Sequence, residues 1–313
     1  LCLSDSTGQY YKKAVVTALS ILENASGPVC LHLVHDETLT PAARDAFARL
    51  EQTYSQEIRY YHAGQIPTTT EKNVPAFLGR GTLFKIMLPN LVPVPKLLYL
   101  DCDIVCTCDI RPIFERDITG FCLGAVKMGE KQGRIHSKRL GMRAQTCVNA
   151  GVLLMNLEKI RADIPDYAQQ LFAIGSTAKI PLGDQGATNI FFDGRPDAFV
   201  YLPEDCNFRI EHYDRAVLPM AAYQGKVIHF AGKKPWNVLT TPGLYYWKYY
   251  AKAFPHEDVF TLMEKLESYE YAPLFAFMLR HEPIRRWVNR MKEIADKGLL
   301  SAILRRIYPS RSA

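Results

Sequence analysis

Apolar residues in the first two-thirds of this chain alternate between short unbroken runs and stripes at helical spacing. Residues 1–3 read as a strand, and a helix follows over 10–24, with Ala14, Val15, Ala18, Leu19 and Leu22 on one face. A strand at 29–34 precedes a helix at 41–54, for which Thr40 is the N-cap candidate. Residues 57–61 form the next strand, and a helix over 82–91 is ended by Pro93 and Pro95. Strands follow at 97–100, 121–126, 151–157, 199–202 and 226–230, with a helix opening near Asp184. This alternation predicts an α/β fold, a mostly parallel sheet flanked by helices. Near residue 255 the pattern changes, so we expect a catalytic body over 1–255 and a helical tail over 256–313.

The tail carries its own stripe: Ile284, Trp287, Val288, Met291, Ile294 and Ala295, then Leu300, Ile303, Leu304 and Ile307. Nine Arg or Lys lie between Arg280 and Ala313 against three acids, which equals the net charge of +6 of the whole chain. A basic amphipathic helix suits an anionic membrane surface, or docks on the body with its charges solvated. Nucleic acid is disfavoured, because the cations are not interleaved with stacking aromatics. With 313 residues and 48% hydrophobic composition, the chain can bury a full core. No run of eighteen apolar residues occurs, so no helical membrane span is expected. The sequence begins at Leu1 without a Met, which leaves open a leader ahead of it. The eight Cys are irregularly spaced, and Cys102, Cys106 and Cys108 match no known zinc pattern. Reduced thiols in the cytoplasm are the simpler expectation.

The chemistry concentrates at Leu97-Leu98-Tyr99-Leu100-Asp101-Cys102-Asp103. A buried strand ends there in two acids, and ligands of open α/β sheets bind at the carboxyl ends of strands. Two carboxylates so placed either hold a hard divalent cation against a substrate diphosphate or are simply solvated and ion-paired. Four other segments bear on the choice. Ser4 to Tyr10 is a polar loop between the first strand and helix. Asn149-Ala150-Gly151 reads as a turn entering a buried strand, with Gly151 allowing close backbone approach to a ligand. Gly183-Asp184-Gln185-Gly186 puts polar groups at a helix N-terminus. His229-Phe230-Ala231-Gly232-Lys233-Lys234-Pro235-Trp236 follows a strand.

In this order and spacing, the set resembles glycosyltransferase family 8 over roughly residues 1–240. The resemblance implies a GT-A fold, a UDP-glucose or UDP-galactose donor, a Mn²⁺ ion, and transfer of hexose with retention to a glycan or glycolipid acceptor. A lipopolysaccharide or other cell-surface precursor at the inner face of a membrane fits that family and the basic tail. Asp101 and Asp103 match the family's metal pair and His229 its third ligand; Mg²⁺ suits the carboxylates, while an imidazole favours Mn²⁺. By the same resemblance, Gly232, Lys233 and Lys234 meet the phosphates. Asn149, Ala150 and Gly151 meet ribose and sugar, with Asp184 and Gln185 at the catalytic sugar end. Asp5, Gln9 and Tyr10 meet uracil and ribose, and Cys102 joins the donor-binding set. Lys85 stands where many members carry a donor-binding Arg. The chain departs from the family at three further points: the segment from His229 to Lys234 is one residue shorter, Leu123 to Met128 lacks an acid, and Gly186 replaces one.

Two rivals share some features. A metal-dependent nucleotidyltransferase also wants paired acids and cations, but needs a Gly-rich triphosphate loop that is not evident here. A non-catalytic UDP-sugar-binding protein has no reason to keep Asp101, Asp103, His229 and Lys234 together.

Overall fold

A computed structural model describes residues 1–64, 80–177, 183–211, 218–264 and 266. Its contacts divide the chain into two compact units: Leu1–Phe208 with Gly225–His229, and Arg209–Gln224 with Phe230–Ala313.

The first unit opens with β1 (Cys2–Leu3), α1 (Tyr11–Asn24), β2 (Leu31–His35), α2 (Pro41–Tyr54) and β3 (Ile58–His62). These strands pair in parallel in the order β1-β2-β3, as alternating strands and helices dictate. Thr40 caps α2 by accepting the Ala43 N–H at 3.2 Å. Then come α3 (Gly81–Leu91), β4 (Lys96–Leu100), β5 (Ile104–Cys106), α4 (Arg111–Phe114), β6 (Leu123–Lys127), α5 (Glu130–Arg139) and β7 (Val148–Asn156). The unit continues with α6 (Leu157–Asp163), α7 (Tyr167–Thr177), α8 (Gly183–Phe192), β8 (Phe199–Tyr201), β9 (Phe208–Arg209), which runs into the second unit, and β10 (Val227–His229). A second sheet has the order β4-β7-β6-β8 and a third β5-β10-β9. Parallel pairing extends to β6 with β8, whereas β4–β7, β6–β7 and β5–β10 are antiparallel.

The core lies between the second sheet and its helices. Phe84 and Leu88 of α3, Leu123, Leu153 and Met155 of the sheet, Leu157, Leu171 and Phe192 pack in one cluster. Each such side chain contributes about 1.5–3 kcal/mol on burial. Helix α5 escaped the sequence reading because it has no apolar stripe: only Gly133 and Ser137 of its residues are buried. Asn149-Ala150-Gly151 is not a turn. It lies within β7, at a register shift where Ala125 pairs with Leu153 but Val126 pairs with Asn149. A bulge provides the local irregularity that the Asn and Gly signal in sequence.

In the second unit α9 (Gly243–Ala253) stacks Tyr246, Trp247, Tyr250 and Phe254 along one side, and the Trp247 indole donates to the Pro235 carbonyl at 3.0 Å. Helix α10 (Val259–Glu264) follows. The expected tail stripe from Ile284 to Ile307 lies outside the described residues. No helix among the described residues is long and apolar enough to cross a membrane.

One contact anchors the link between the sheets. Residues 101–103 connect β4 to β5, and the buried Thr17 hydroxyl of α1 is shared between the carbonyls of Cys102 (3.1 Å) and Ile104 (2.7 Å). Thr17→Val keeps the shape and strips both carbonyls of their donor. Urea denaturation should show a loss of about 1–3 kcal/mol; an unchanged midpoint would mean the helix does not secure this corner.

Candidate active site

Two ladders bring the metal-ligand candidates together. Asp101, the first residue past β4, donates its N–H to the Gly151 carbonyl at 2.8 Å. Asp103 immediately precedes Ile104, whose cross-strand partner is His229. His229 Nε2 lies 3.3 Å from Asp103 Oδ1 and 3.9 Å from Asp101 Oδ2. One ligand atom from each residue falls within 4.8 Å of the others, the one such group among the described residues. Two carboxylates and an imidazole at this spacing suit a divalent cation with open positions left for a substrate.

The two oxygens of Asp101 have different surroundings. Oδ1 accepts from the Tyr99 hydroxyl and lies 3.3 Å from Lys85 Nζ, whereas Oδ2 faces His229. Lys85 is buried, and its ammonium also meets Asp184 Oδ2 at 2.7 Å and the Ala150 carbonyl at 3.0 Å. Burial alone would lower its pKa, but Asp101 and Asp184 reverse this and hold it above the ordinary lysine value. Burial pushes the Asp184 carboxyl upward, and the Lys85 charge pulls it back. Three carboxylates thus stand against one ammonium, an imbalance that a divalent cation would cancel.

Beside the triad, the bulge in β7 leaves main-chain groups to be satisfied by side chains. Gln185 Oε1 accepts the Ala150 N–H (3.1 Å) and Asn149 Nδ2 (2.8 Å). Asn149 Oδ1 accepts the Gly151 N–H (3.0 Å) and Asn207 Nδ2 (2.8 Å). Asn207 Oδ1 in turn faces His229 Nδ1 at 2.9 Å. The sequence reading missed Asn207 and Tyr99. The only hint of Asn207 is an amide just before an apolar residue, Phe208, in the polar run Glu204-Asp205-Cys206-Asn207.

Gly151 is packed against the triad. A Cβ built on it would lie 2.2 Å from His229 Cε1 and 2.9 Å from Asp101 Oδ2, so the missing side chain makes room for the triad itself. Asp5 is also engaged within the chain: its carboxylate accepts the N–H groups of Gln9 (3.1 Å) and Tyr11 (2.8 Å) and the Thr7 hydroxyl (3.0 Å). Burial favours its protonation, but these donors outweigh burial and hold it below the ordinary Asp value. Gln9 is exposed and Tyr10 half-buried, with Lys13 Nζ 4.5 Å from the Tyr10 ring centre. Cys102 turns inward: its thiol donates to the Cys2 carbonyl at 3.2 Å, and burial raises its pKa. Only its main chain is left to meet a donor. Cys2, Cys30, Cys102, Cys106, Cys108, Cys122, Cys147 and Cys206 are all free thiols.

In the second unit, Lys234 Nζ donates to the Phe230 carbonyl at 2.7 Å. The space that Gly232 leaves is lined by backbone, with the Glu211 carbonyl oxygen 3.1 Å from where a Cβ would be. Lys233 follows Gly232 in the same turn.

The sequence profile of glycosyl transferase family 8 matches residues 2–240. The chain belongs to glycosyltransferase family 8. Residues 2–240 are thus a family 8 domain with a GT-A fold. Glycosyltransferase GlyB of Streptococcus pneumoniae serotype 4 is 27% identical over 176 residues, 52% of this chain and 40% of that protein. A probable glycosyl transferase Gly of Streptococcus gordonii is 31% identical over 160 residues, 50% of this chain and 22% of that protein. The chain spans well under half the length of these curated relatives. Among solved structures, galactosyltransferase LgtC in complex with donor and acceptor sugar analogues aligns with a TM-score of 0.64 at 22% identity. The alignment covers 78% of this chain and 92% of that one. GlyE of Streptococcus pneumoniae TIGR4 aligns at 0.57 and 20% identity, covering 82% and 60%. Likeness at this identity shows the shared fold; function has to be argued from the site.

In this family 8 domain Gly151→Ala is a sharp probe, because its methyl group collides with two of the three candidate ligands. Overpacking should cost about 1–3 kcal/mol in stability and abolish calorimetric Mn²⁺ binding in protein that remains folded. Wild-type Mn²⁺ affinity in the variant would show that the cation sits elsewhere.

Proposed function

We propose that the protein transfers a hexose, glucose or galactose, from its UDP-sugar to a hydroxyl of a glycan or glycolipid acceptor, with Mn²⁺ and with retention of configuration. The convergence of Asp101, Asp103 and His229 in a family 8 domain carries the reading. Asp101 Oδ2, an Asp103 carboxylate oxygen and His229 Nε2 would hold the cation, and the imidazole favours Mn²⁺ over Mg²⁺. When bound, such an ion supplies Lewis-acid stabilisation of the departing diphosphate.

The residues of the chain do the rest. Asn149 and Gln185 are the side chains we assign to the sugar, oriented by their mutual hydrogen bond and by the N–H groups of Gly151 and Ala150 that they accept. Lys233 and Lys234, shortly after His229, supply positive charge for the phosphates on the family pattern. Neither carboxyl-type side chain at the sugar end is a free nucleophile. Asp184 Oδ2 is paired with Lys85, and Gln185 Oε1 already accepts two N–H groups. We therefore favour attack by the acceptor hydroxyl on the face the nucleotide leaves: its oxygen bonds to the anomeric carbon, the carbon–phosphate oxygen bond breaks, and the proton passes to the departing phosphate. The basic run after Arg280 supports placing the acceptor at an anionic membrane surface.

Two experiments test these readings. Incubation with UDP-glucose and UDP-galactose plus Mn²⁺ should release UDP, with an α-linked product by NMR when acceptor is supplied. Asp103→Ala should lower the rate by about 10²–10³-fold, the scale of losing an electrostatic stabiliser of developing charge. Activity that persists in chelator would reject the cation. Separately, removing residues 280–313 should abolish co-sedimentation with phosphatidylglycerol vesicles; unchanged sedimentation would remove the tail from the membrane reading.

A further inference from the structure

We propose that Asn207 is a positioning residue that keeps a proton on His229 Nδ1, so that Nε2 is the nitrogen free to bind a cation beside Asp101 and Asp103. The inference rests on the metal-binding reading of that triad, but it is derived from a different set of contacts. Carboxamides and imidazoles do not reveal by shape which atom carries hydrogen, whereas a backbone N–H is always a donor. The Gly151 N–H lies 3.0 Å from an Asn149 side-chain atom, which must therefore be the oxygen. The Asn207 atom 2.8 Å from that oxygen must be the nitrogen, Nδ2. The other end of the same carboxamide is then Oδ1, and it lies 2.9 Å from His229 Nδ1. An oxygen without hydrogen faces that nitrogen, so Nδ1 has to donate.

A second main-chain donor gives the same answer from the other side. The Ala150 N–H, 3.1 Å from Gln185, identifies Oε1 as the acceptor. Asn149 presents Nδ2 to that oxygen at 2.8 Å, which again turns its own oxygen toward Gly151 and Asn207. Two bulge amides of β7 thus orient three carboxamides in series. Asn207, Asn149 and His229 are 1%, 7% and 3% exposed, so bulk water cannot substitute for a missing partner.

The effect matters because the other ring nitrogen is the one that faces the acids. Asp103 Oδ1 and Asp101 Oδ2 lie 3.3 and 3.9 Å from Nε2, on the side of the ring opposite Asn207. A cation needs Nε2 as a bare lone pair. With Nδ1 held as the donor to Asn207, the neutral ring is the tautomer that presents the Nε2 lone pair to the acids, and it need not turn over. Partners of metal-bound imidazoles typically change metal affinity by about 10–100-fold when removed.

The imidazole nitrogens report this directly. In ¹⁵N-labelled protein, with His229 assigned by its loss in His229→Gln, Nδ1 should carry a proton both without metal and with diamagnetic Mg²⁺. Asn207→Ala should lose that signal and bind Mn²⁺ about 10–100-fold more weakly by calorimetry. Asn207→Asp keeps an acceptor toward Nδ1 while losing the donor to Asn149, so folded protein should keep the Nδ1 proton that Asn207→Ala loses. An unprotonated Nδ1 in the wild type, under either condition, overturns the proposal even if Asn207→Ala fails to fold. So does a folded Asn207→Ala with wild-type Mn²⁺ affinity. Wild-type protein with a protonated Nδ1 but no Mn²⁺ binding would instead refute the metal reading and leave the hydrogen-bond polarity standing.

Discussion

The structure depends most on a corner three residues long. Asp101, Cys102 and Asp103 carry the chain from β4, paired with β7, into β5, paired with β10. Each acid is therefore indexed by a different sheet: Asp101 by its N–H to Gly151, Asp103 by the pairing of Ile104 with His229. A slip of one residue in either ladder would turn its side chains to the opposite face. Inside the corner only Cys102 points into the core, and its thiol and the Thr17 hydroxyl tie the turn down from within. Alternation then leaves the flanking acids on the other side. The Asp-x-Asp spacing is thus a consequence of strand geometry as much as of metal chemistry.

Concentrating acids at a corner raises an electrostatic problem, and Lys85 answers part of it. A lone buried ammonium would be costly, as would a lone buried carboxylate, but Lys85 between Asp101 and Asp184 is surrounded by acceptors and by the Tyr99 ring at 4.8 Å. Its position on α3 places this charge behind the triad rather than in front of it. It therefore holds Oδ1 of Asp101 and leaves Oδ2 on the open side. An Arg here would bring a longer, forked group into a space already filled by two acids and a carbonyl.

Much of this was legible in the chain. Runs and stripes located β1 to β4, α1, α2, α3 and α8, because each buries one regular face. Asp101 and Asp103 were legible because two acids at the end of a buried strand have no packing reason to be there, and His229 was legible only through the resemblance to family 8. What could not be read is what depends on irregularity. The β7 bulge looked like a turn, since Asn and Gly signal either. The polar helix α5 has no stripe to betray it. Gly151 reads as room for a ligand, and only coordinates show the imidazole in that space. The contacts of Asp5 with the helix entry carry no periodic signal either, since a carboxylate in a polar loop does not reveal which N–H groups it accepts. Asn207 carries no periodic signal at all.

The choice of carboxamides around the bulge follows from both constraints together. Bulged main chain offers donors, the Ala150 and Gly151 N–H groups, that need buried acceptors. Carboxylates would accept them well, but the site already sets three acids against a single ammonium that pairs with two of them, and further negative charge nearby would be strongly disfavoured in a site shielded from water. Hydroxyls accept too, yet their hydrogens rotate and transmit no fixed direction. Asn and Gln are neutral, and each has one end that only accepts and one that only donates. Linked in series, they carry the direction of a backbone N–H sideways to the imidazole. The same irregular strand that fixes Asn149 and Gln185 therefore also sets the orientation of the imidazole beside the two acids, so these parts of the site are built as one.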